Sequence, residues 1–285
     1  MKIAVIGAGL IGGSIGMALR PLKIGGKKIR VTGVGRNRAR LELARRLGAV
    51  DEYSLDARAG VKDADVVFIC LPVDMIAKTA LAVAPFCKRG AVITDVGSVK
   101  KIIVDAVDKR AKTLREAGVF FVGAHPIAGA EKTSVRNARR DMFAGATAVV
   151  APGKTSGSKA VRLVEKLWKA AGAKVARLSP SAHDAKLART SHLPHAVAYA
   201  LANSVGYGDL RFAGAGFADS TRIASSAPDL WAQIILSNKK ETLKAVRVFA
   251  GELSKIARAK SKPALARIFA SAKKKRDSLD GVSGK

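Results

Sequence analysis

Lys2-Ile3-Ala4-Val5-Ile6-Gly7-Ala8-Gly9-Leu10-Ile11-Gly12 is the stretch on which the fold turns. Residues 2–6 form an apolar, β-rich run of strand length, and residues 10–20 place Leu10, Ser14, Met17 and Ala18 at helical spacing. Between them Gly7, Gly9 and Gly12 satisfy G-x-G-x-x-G: the first glycine permits a tight turn, the second lets backbone amides approach a pyrophosphate, and the third lets helix and strand pack closely. Strand, glycine turn and helix in that order predict a dinucleotide-binding βαβ unit, with Gly7, Gly9, Leu10, Ile11 and Gly12 at the cofactor. Taken alone the pattern also fits a glycine-rich turn without ligand.

Outward from this stretch the pattern repeats. Strands are predicted at 29–34, 66–71, 91–94 and 119–122, and helices at 39–47 and 74–84. Ser98 stands where it can cap a helix whose Ile103, Val107 and Leu114 share a face. A strand at 145–150, a helix at 161–171 and a strand at 174–178 extend the series. Such alternation predicts an α/β fold, an N-terminal Rossmann-like doubly wound parallel sheet with ligands beyond the carboxyl ends of its strands. After Ser179-Pro180 strand signals vanish and helical periodicity dominates, so the second domain is mostly α-helical. The domains expected are 1–178 (dinucleotide-binding), 179–272 (helical, for substrate and dimerisation) and a frayed basic tail at 273–285.

Cofactor choice is read after the second strand. NAD sites usually carry an acidic residue about 20 positions beyond the fingerprint. Here Gly35-Arg36-Asn37-Arg38 occupies that place, and the first acidic residue is Glu42, inside the following helix. Arg36, Asn37 and Arg38 suit the 2′-phosphate of NADP through charge-assisted hydrogen bonds, with NAD still possible. The competing reading is that these arginines belong to a general basic excess.

That excess is large: the net charge is +29 over 285 residues, of which 48% are hydrophobic. A nucleic-acid partner must therefore be weighed, but lysine and arginine are spread from Lys2 to Lys285 with little aromatic interleaving, and no nucleic acid is expected. A positive field equally attracts an anionic small-molecule substrate and a phosphate-bearing cofactor. Cys70 and Cys87 lie in no metal-ligand spacing, so neither zinc nor a disulfide is expected. The opening apolar run is too short for a signal h-region and no stretch approaches the roughly 18 apolar residues of a membrane span, which places the protein in the cytoplasm.

Four motifs remain: Asp95-Val96-Gly97-Ser98-Val99-Lys100, Gly123-Ala124-His125-Pro126-Ile127-Ala128-Gly129 continuing to Glu131, Ser191-His192-Leu193-Pro194-His195, and Asp219-Ser220-Thr221-Arg222-Ile223-Ala224. An imidazole such as His125 is the side chain best matched to taking a hydroxyl proton near neutral pH. Ser191, His192 and His195 project in neighbouring directions on a helix that Pro194 should kink, although a packed or capping histidine is the alternative. Arg222 sits among Thr221, Ile223 and Ala224, which are not a charge run, and on its own reads as an ordinary surface arginine.

In order and spacing these motifs, with Gly9-Leu10-Ile11-Gly12-Gly13-Ser14, resemble the prephenate and arogenate dehydrogenases of tyrosine biosynthesis, over roughly residues 1–255. The resemblance implies an oxidative decarboxylation that ends in an aromatic ring, with His125 and Ser98 catalytic and Ser98 also near the nicotinamide. It further implies substrate contacts from Ser191, His192, His195, Arg222 and Glu131, and a homodimer. Ser134 stands where the family commonly has glycine, which puts the backbone of that loop in question. Between the keto and the amino substrate the sequence is silent. The nearest rival is a two-domain β-hydroxyacid or imine dehydrogenase, for which Lys186 would be the catalytic lysine. A basic nucleic-acid-binding protein on a Rossmann scaffold is the remaining alternative.

Overall fold

The computed structural model describes residues 1–128 and 134–283. Eight strands form one sheet: β1 (Lys2–Ile6), β2 (Arg30–Val34), β3 (Glu52–Ser54), β4 (Val66–Ile69), β5 (Val92–Asp95), β6 (Phe120–Pro126), β7 (Thr147–Ala151) and β8 (Lys174–Arg177). Their spatial order is β3-β2-β1-β4-β5-β6-β7-β8. Neighbours run parallel except β6 and β7, where His125 faces Val149 in antiparallel register. The chain leaves β1 in one direction for β2 and β3 and returns to β4 on its other side, so the strand order reverses between β1 and β4. That reversal opens the crevice in which doubly wound sheets hold their ligands.

Alternation along the strands explains why both faces of the sheet are covered. Ile3, Val5, Val66 and Phe68 belong to one buried cluster, whereas Ala4, Ile6, Val67 and Ile69 belong to the other. A period of two sends successive side chains to opposite faces. The first face packs under α1 (Leu10–Leu19) and α7 (Ser158–Ala170), where Trp168 meets Phe68 and Phe143 edge-on with ring centroids 5.8 and 5.2 Å apart. The second packs under α4 (Val73–Val83) and α5 (Lys101–Asp108), through Ile76 and Ile103. Helices α2 (Arg38–Arg46), α3 (Ala57–Val61) and α6 (Ala111–Ala117) are the other helices between the strands.

Beyond β8 every regular element is helical: α8 (Pro180–Leu187), a π-helical turn (Ala188–His192), α9 (Leu193–Asn203), α10 (Ala215–Thr221), α11 (Pro228–Ser237), α12 (Lys239–Ala257) and α13 (Lys262–Ser283). Two compact units result, Met1–Lys239 and Lys240–Lys285. The change at residue 179 is thus a change of secondary structure, while α8 to α11 stay within the sheet-bearing unit. The expected frayed tail is corrected, because α13 continues to Ser283. Its lysines and arginine are good helix formers, and Lys273 pairs with Asp277 one turn on at 2.6 Å. Helices α12 and α13 expose Leu243, Val248, Leu253, Ile256 and Phe269.

Candidate active site

The fingerprint glycines divide their work as the spacing requires. Gly7 follows β1 with φ +94°, and a Cβ there would stand 2.3 Å from the carbonyl oxygen of Cys70, at the end of β4. Only glycine allows β1 and β4 to converge this closely on the crevice. A Cβ on Gly12 would lie 2.3 Å from the carbonyl oxygen of Gly7, which is the helix-to-turn contact. A Cβ on Gly9 would meet nothing within 4 Å. Gly9 begins α1 without a side-chain cap, so among the described residues no side chain takes up the first amides of that helix. Such a terminus attracts the pyrophosphate of a dinucleotide, and the cradle fits the group. Leu10 is buried under the turn and Ile11 half-buried beside it.

At the carboxyl end of β2, Arg36, Asn37 and Arg38 are exposed. Asn37 already has one duty: its side chain accepts the Arg40 amide at 3.0 Å and caps α2. The two arginines flank that cap.

Four strands further along the same sheet edge, His125 lies near the end of β6. It is 9% exposed, and burial, reinforced by His183, Lys100 and His192, holds its pKa well below 6.5. Its Nδ1 lies 2.9 Å from Nε2 of His183, whose Nδ1 lies 2.7 Å from Oδ1 of Asp184. Asp184 in turn accepts the backbone amides of Lys100 at 2.7 Å and Lys101 at 3.0 Å. The expectation that Ser98 caps α5 is therefore corrected. Helix α5 starts three residues later, and a carboxylate 84 residues away in sequence takes the capping role, where it meets the positive helix end. Ser98 stays half-buried in the loop between β5 and α5.

A second buried set fixes the strand that carries His125. Lys100 and Asp95, both without solvent exposure, are ion-paired. Lys100 Nζ donates to the Ala124 carbonyl at 2.8 Å, and Asp95 accepts the Ala124 amide at 3.0 Å and the Gly97 amide at 2.9 Å. Burial pulls the Lys100 pKa down while Asp95 pulls it back up. Both polar groups of the Ala124 peptide are thereby held, one residue before the imidazole. A buried ion pair with its remaining donors and acceptors satisfied fixes geometry more than it adds stability.

The helical motif separates into two environments. His192, in the π-helical turn, is 1% exposed, and its Nδ1 meets Nδ2 of Asn238 at 3.2 Å; burial lowers its pKa to about 4. It is therefore a packed histidine, and its ring meets Trp231 edge-on with centroids 6.4 Å apart. His195 is half-buried, its Nδ1 lies 3.0 Å from the Ser191 carbonyl, and its ring stacks on Trp231 with centroids 3.2 Å apart. Ser191 is half-buried on the same turn. Arg222 is exposed at the head of the short turn Arg222–Ser225, which Tyr199 ties to α9 through a 2.7 Å bond to the Ser226 carbonyl. Ser134 has extended backbone at φ −167°, which any residue adopts, and caps the turn Val135–Asn137. Glu131 lies outside the described residues.

His183, Asp184, Asn238 and Trp231 lie outside the four sequence motifs, and Asp95 and Lys100 lie within one that gives no local sign of their role. A His-Asp pair beside a motif-bearing helix was the available signal. Among the described residues no group of side chains could hold a metal ion, and no helix is long and apolar enough to cross a membrane. Cys87 is buried and its thiol is pushed up to about 11.

An open pyrophosphate cradle at the switch point and a buried neutral imidazole on the same sheet edge define a nicotinamide-dinucleotide-dependent dehydrogenase. The family described as "Prephenate dehydrogenase, nucleotide-binding domain" matches residues 18–177, and "Prephenate dehydrogenase, dimerization domain" matches residues 179–271. Prephenate dehydrogenase of Bacillus subtilis is 33% identical over 97% of this chain and 76% of its own length. Prephenate dehydrogenase of Aquifex aeolicus, solved with hydroxyphenyl propionate and NAD+, superposes with a TM-score of 0.87 at 30% identity, over 98% of each chain. Arogenate dehydrogenase of Synechocystis superposes with a TM-score of 0.83 at 27% identity, over 98% of this chain and all of its own. The chain belongs to the prephenate dehydrogenase family.

Proposed function

We propose that the chain oxidatively decarboxylates prephenate, arogenate or both, giving 4-hydroxyphenylpyruvate or tyrosine, and that it prefers NADP to NAD. The observation that carries the reading is His125, a buried, neutral imidazole at the carboxyl end of β6, on the sheet edge that also holds the pyrophosphate cradle. The dinucleotide, when bound, supplies the acceptor for the hydride lost from the ring carbon that bears the hydroxyl. His125 takes the hydroxyl proton, and Ser98 hydrogen-bonds the same oxygen. Carbon dioxide leaves the opposite ring carbon, the electron pair of the broken bond completes the aromatic ring, and the resulting phenolate oxygen takes the proton back from His125. His195 and Ser191 line the substrate pocket, and Arg222 forks a carboxylate. His192 supports the pocket wall from behind.

NADP preference rests on the two exposed arginines that flank the Asn37 cap, with no acidic side chain from Gly35 to Leu41. The rival reading through Lys186 is disfavoured because that lysine is exposed, whereas the inward residues of α8 are His183, Asp184 and Leu187. The apolar side chains exposed on α12 and α13 suit a homodimer, and the expected compartment is the cytoplasm.

Steady-state rates with each substrate against both cofactors test the reading. His125→Asn is expected to lower kcat by about 10²–10⁴, the usual worth of a positioned base. Arg36→Asp is expected to raise KM for NADP by about tenfold relative to NAD, as for a lost charge-assisted bond. No turnover of either substrate would end the assignment, and an unchanged cofactor ratio would end the NADP preference.

A further inference from the structure

We infer that His183, held by Asp184, is a positioning residue that decides which nitrogen of His125 is the base. The inference rests on the base role proposed for His125, and its geometry stands on three buried side chains. A carboxylate can only accept, so at 2.7 Å from Asp184 the Nδ1 of His183 must carry a proton and donate it. A neutral His183 then has a lone pair at Nε2, which faces Nδ1 of His125 at 2.9 Å. Two lone pairs cannot meet at that distance, so Nδ1 of His125 donates and its Nε2 is left as the acceptor. Reading the tautomers outward from the carboxylate therefore gives one answer at each ring.

The alternative states are costly at this site. A doubly protonated His183 would satisfy both partners only by placing a cation beside Lys100, and burial already holds the His183 pKa below 6.5. The charged and titratable groups around His125 are Lys100 from the β5–α5 loop, His183 from α8 and His192 from the π-helical turn. None of them can take over the carboxylate's part. Asp184 itself is locked by the Lys100 and Lys101 amides, so the orientation of α5 and the tautomer of His125 are set by one side chain. Asn238 donates to the Asp184 carbonyl at 2.8 Å and holds that residue's backbone as well.

Two measurements test the inference. The chain has four histidines, so ¹⁵N-histidine spectra of the ligand-free protein resolve each ring. His125 and His183 are both expected as Nδ1–H tautomers at neutral pH. His183→Gln keeps an acceptor oxygen near the position of Nε2 and is expected to preserve the His125 tautomer and to keep kcat within about tenfold of the parent. His183→Leu removes the acceptor; the Nδ1–H tautomer should be lost and kcat should fall by roughly 10²–10³ with KM little changed, as when a base is held in the wrong tautomer. An Nε2–H tautomer of His125 in the parent protein would overturn the inference, as would His183→Leu with full kcat. Should His183→Leu fail to fold, the parent spectrum and His183→Gln still decide. Because the spectra need no substrate, a protein with the expected tautomers but no turnover of either substrate would refute the proposed reaction and leave the positioning intact.

Discussion

His125 is only as useful as its neutral form, and the pH dependence of the reaction follows from that. The base must be unprotonated in the free enzyme, and burial holds its pKa well below the ordinary 6.5. Lowering the pH from 8 to 6.5 should therefore leave kcat/KM flat, and the acid limb should appear only below about 6.5, the unperturbed histidine value. No other histidine supplies a limb at the ordinary position, because His183, His192 and His195 are lowered as well, each chiefly by burial. A profile of kcat/KM with saturating cofactor checks this. A limb centred at or above 6.5 would mean that the site is wetter, or the field of Lys100 weaker, than the buried arrangement around His125 implies.

At the scale of one element, the strand-turn-helix at the N-terminus separates folding from binding, because its glycines are required for different reasons. Gly12→Ala would place a methyl 2.3 Å from the backbone oxygen of Gly7, which cannot swing aside, and should cost about 1–3 kcal/mol of stability as an overpacked contact. Gly9→Ala points its methyl into open space, so thermal stability should hold while NADP affinity drops by about tenfold, the worth of one charge-assisted bond to a phosphate. Thermal melts and cofactor titrations of both variants check the pair, and equal loss of stability would refute the division. The same element shows why so much was legible. Its period changes from two to 3.6 across three glycines, and every cue is local. Strand β3 was passed over because Glu52–Ser54 is three residues long and partly exposed, with no apolar alternation to mark it. The start of α5 was misplaced because its cap comes from Asp184, which no local pattern connects to Lys100. His125 was legible from its motif, but its partner His183 lies 58 residues on, in a helix read only for periodicity.

Across the whole molecule, buried histidines and net charge should both make the protein lose stability in acid, and the two causes can be told apart. An unfolded histidine titrates near 6.5, whereas folded His125, His183 and His192 titrate lower, so between those values the unfolded chain binds more protons. Their contribution is complete above about 6.5 and is lost as the pH falls towards the folded values. His192 alone, lowered from 6.5 to about 4, accounts for roughly 3 kcal/mol across that window. Asp184 is lowered from 3.8, so its contribution persists through the same window and is lost only further into acid. A net charge of +29 adds self-repulsion that grows as carboxylates are neutralised. Salt screens repulsion between exposed charges but does little for a proton entering a buried ring. Both tryptophans, Trp168 and Trp231, lie in the unit Met1–Lys239, so urea unfolding followed by their fluorescence reports on that unit. Its midpoint should fall between pH 7.5 and pH 5, and about 0.5 M salt, with a Debye length well under 8 Å, should recover only part of the loss. His192→Gln, which cannot titrate, should reduce the remaining slope and leave the part due to His125 and His183. Full recovery by salt would assign the acid sensitivity to surface charge and leave the buried histidines without a thermodynamic role.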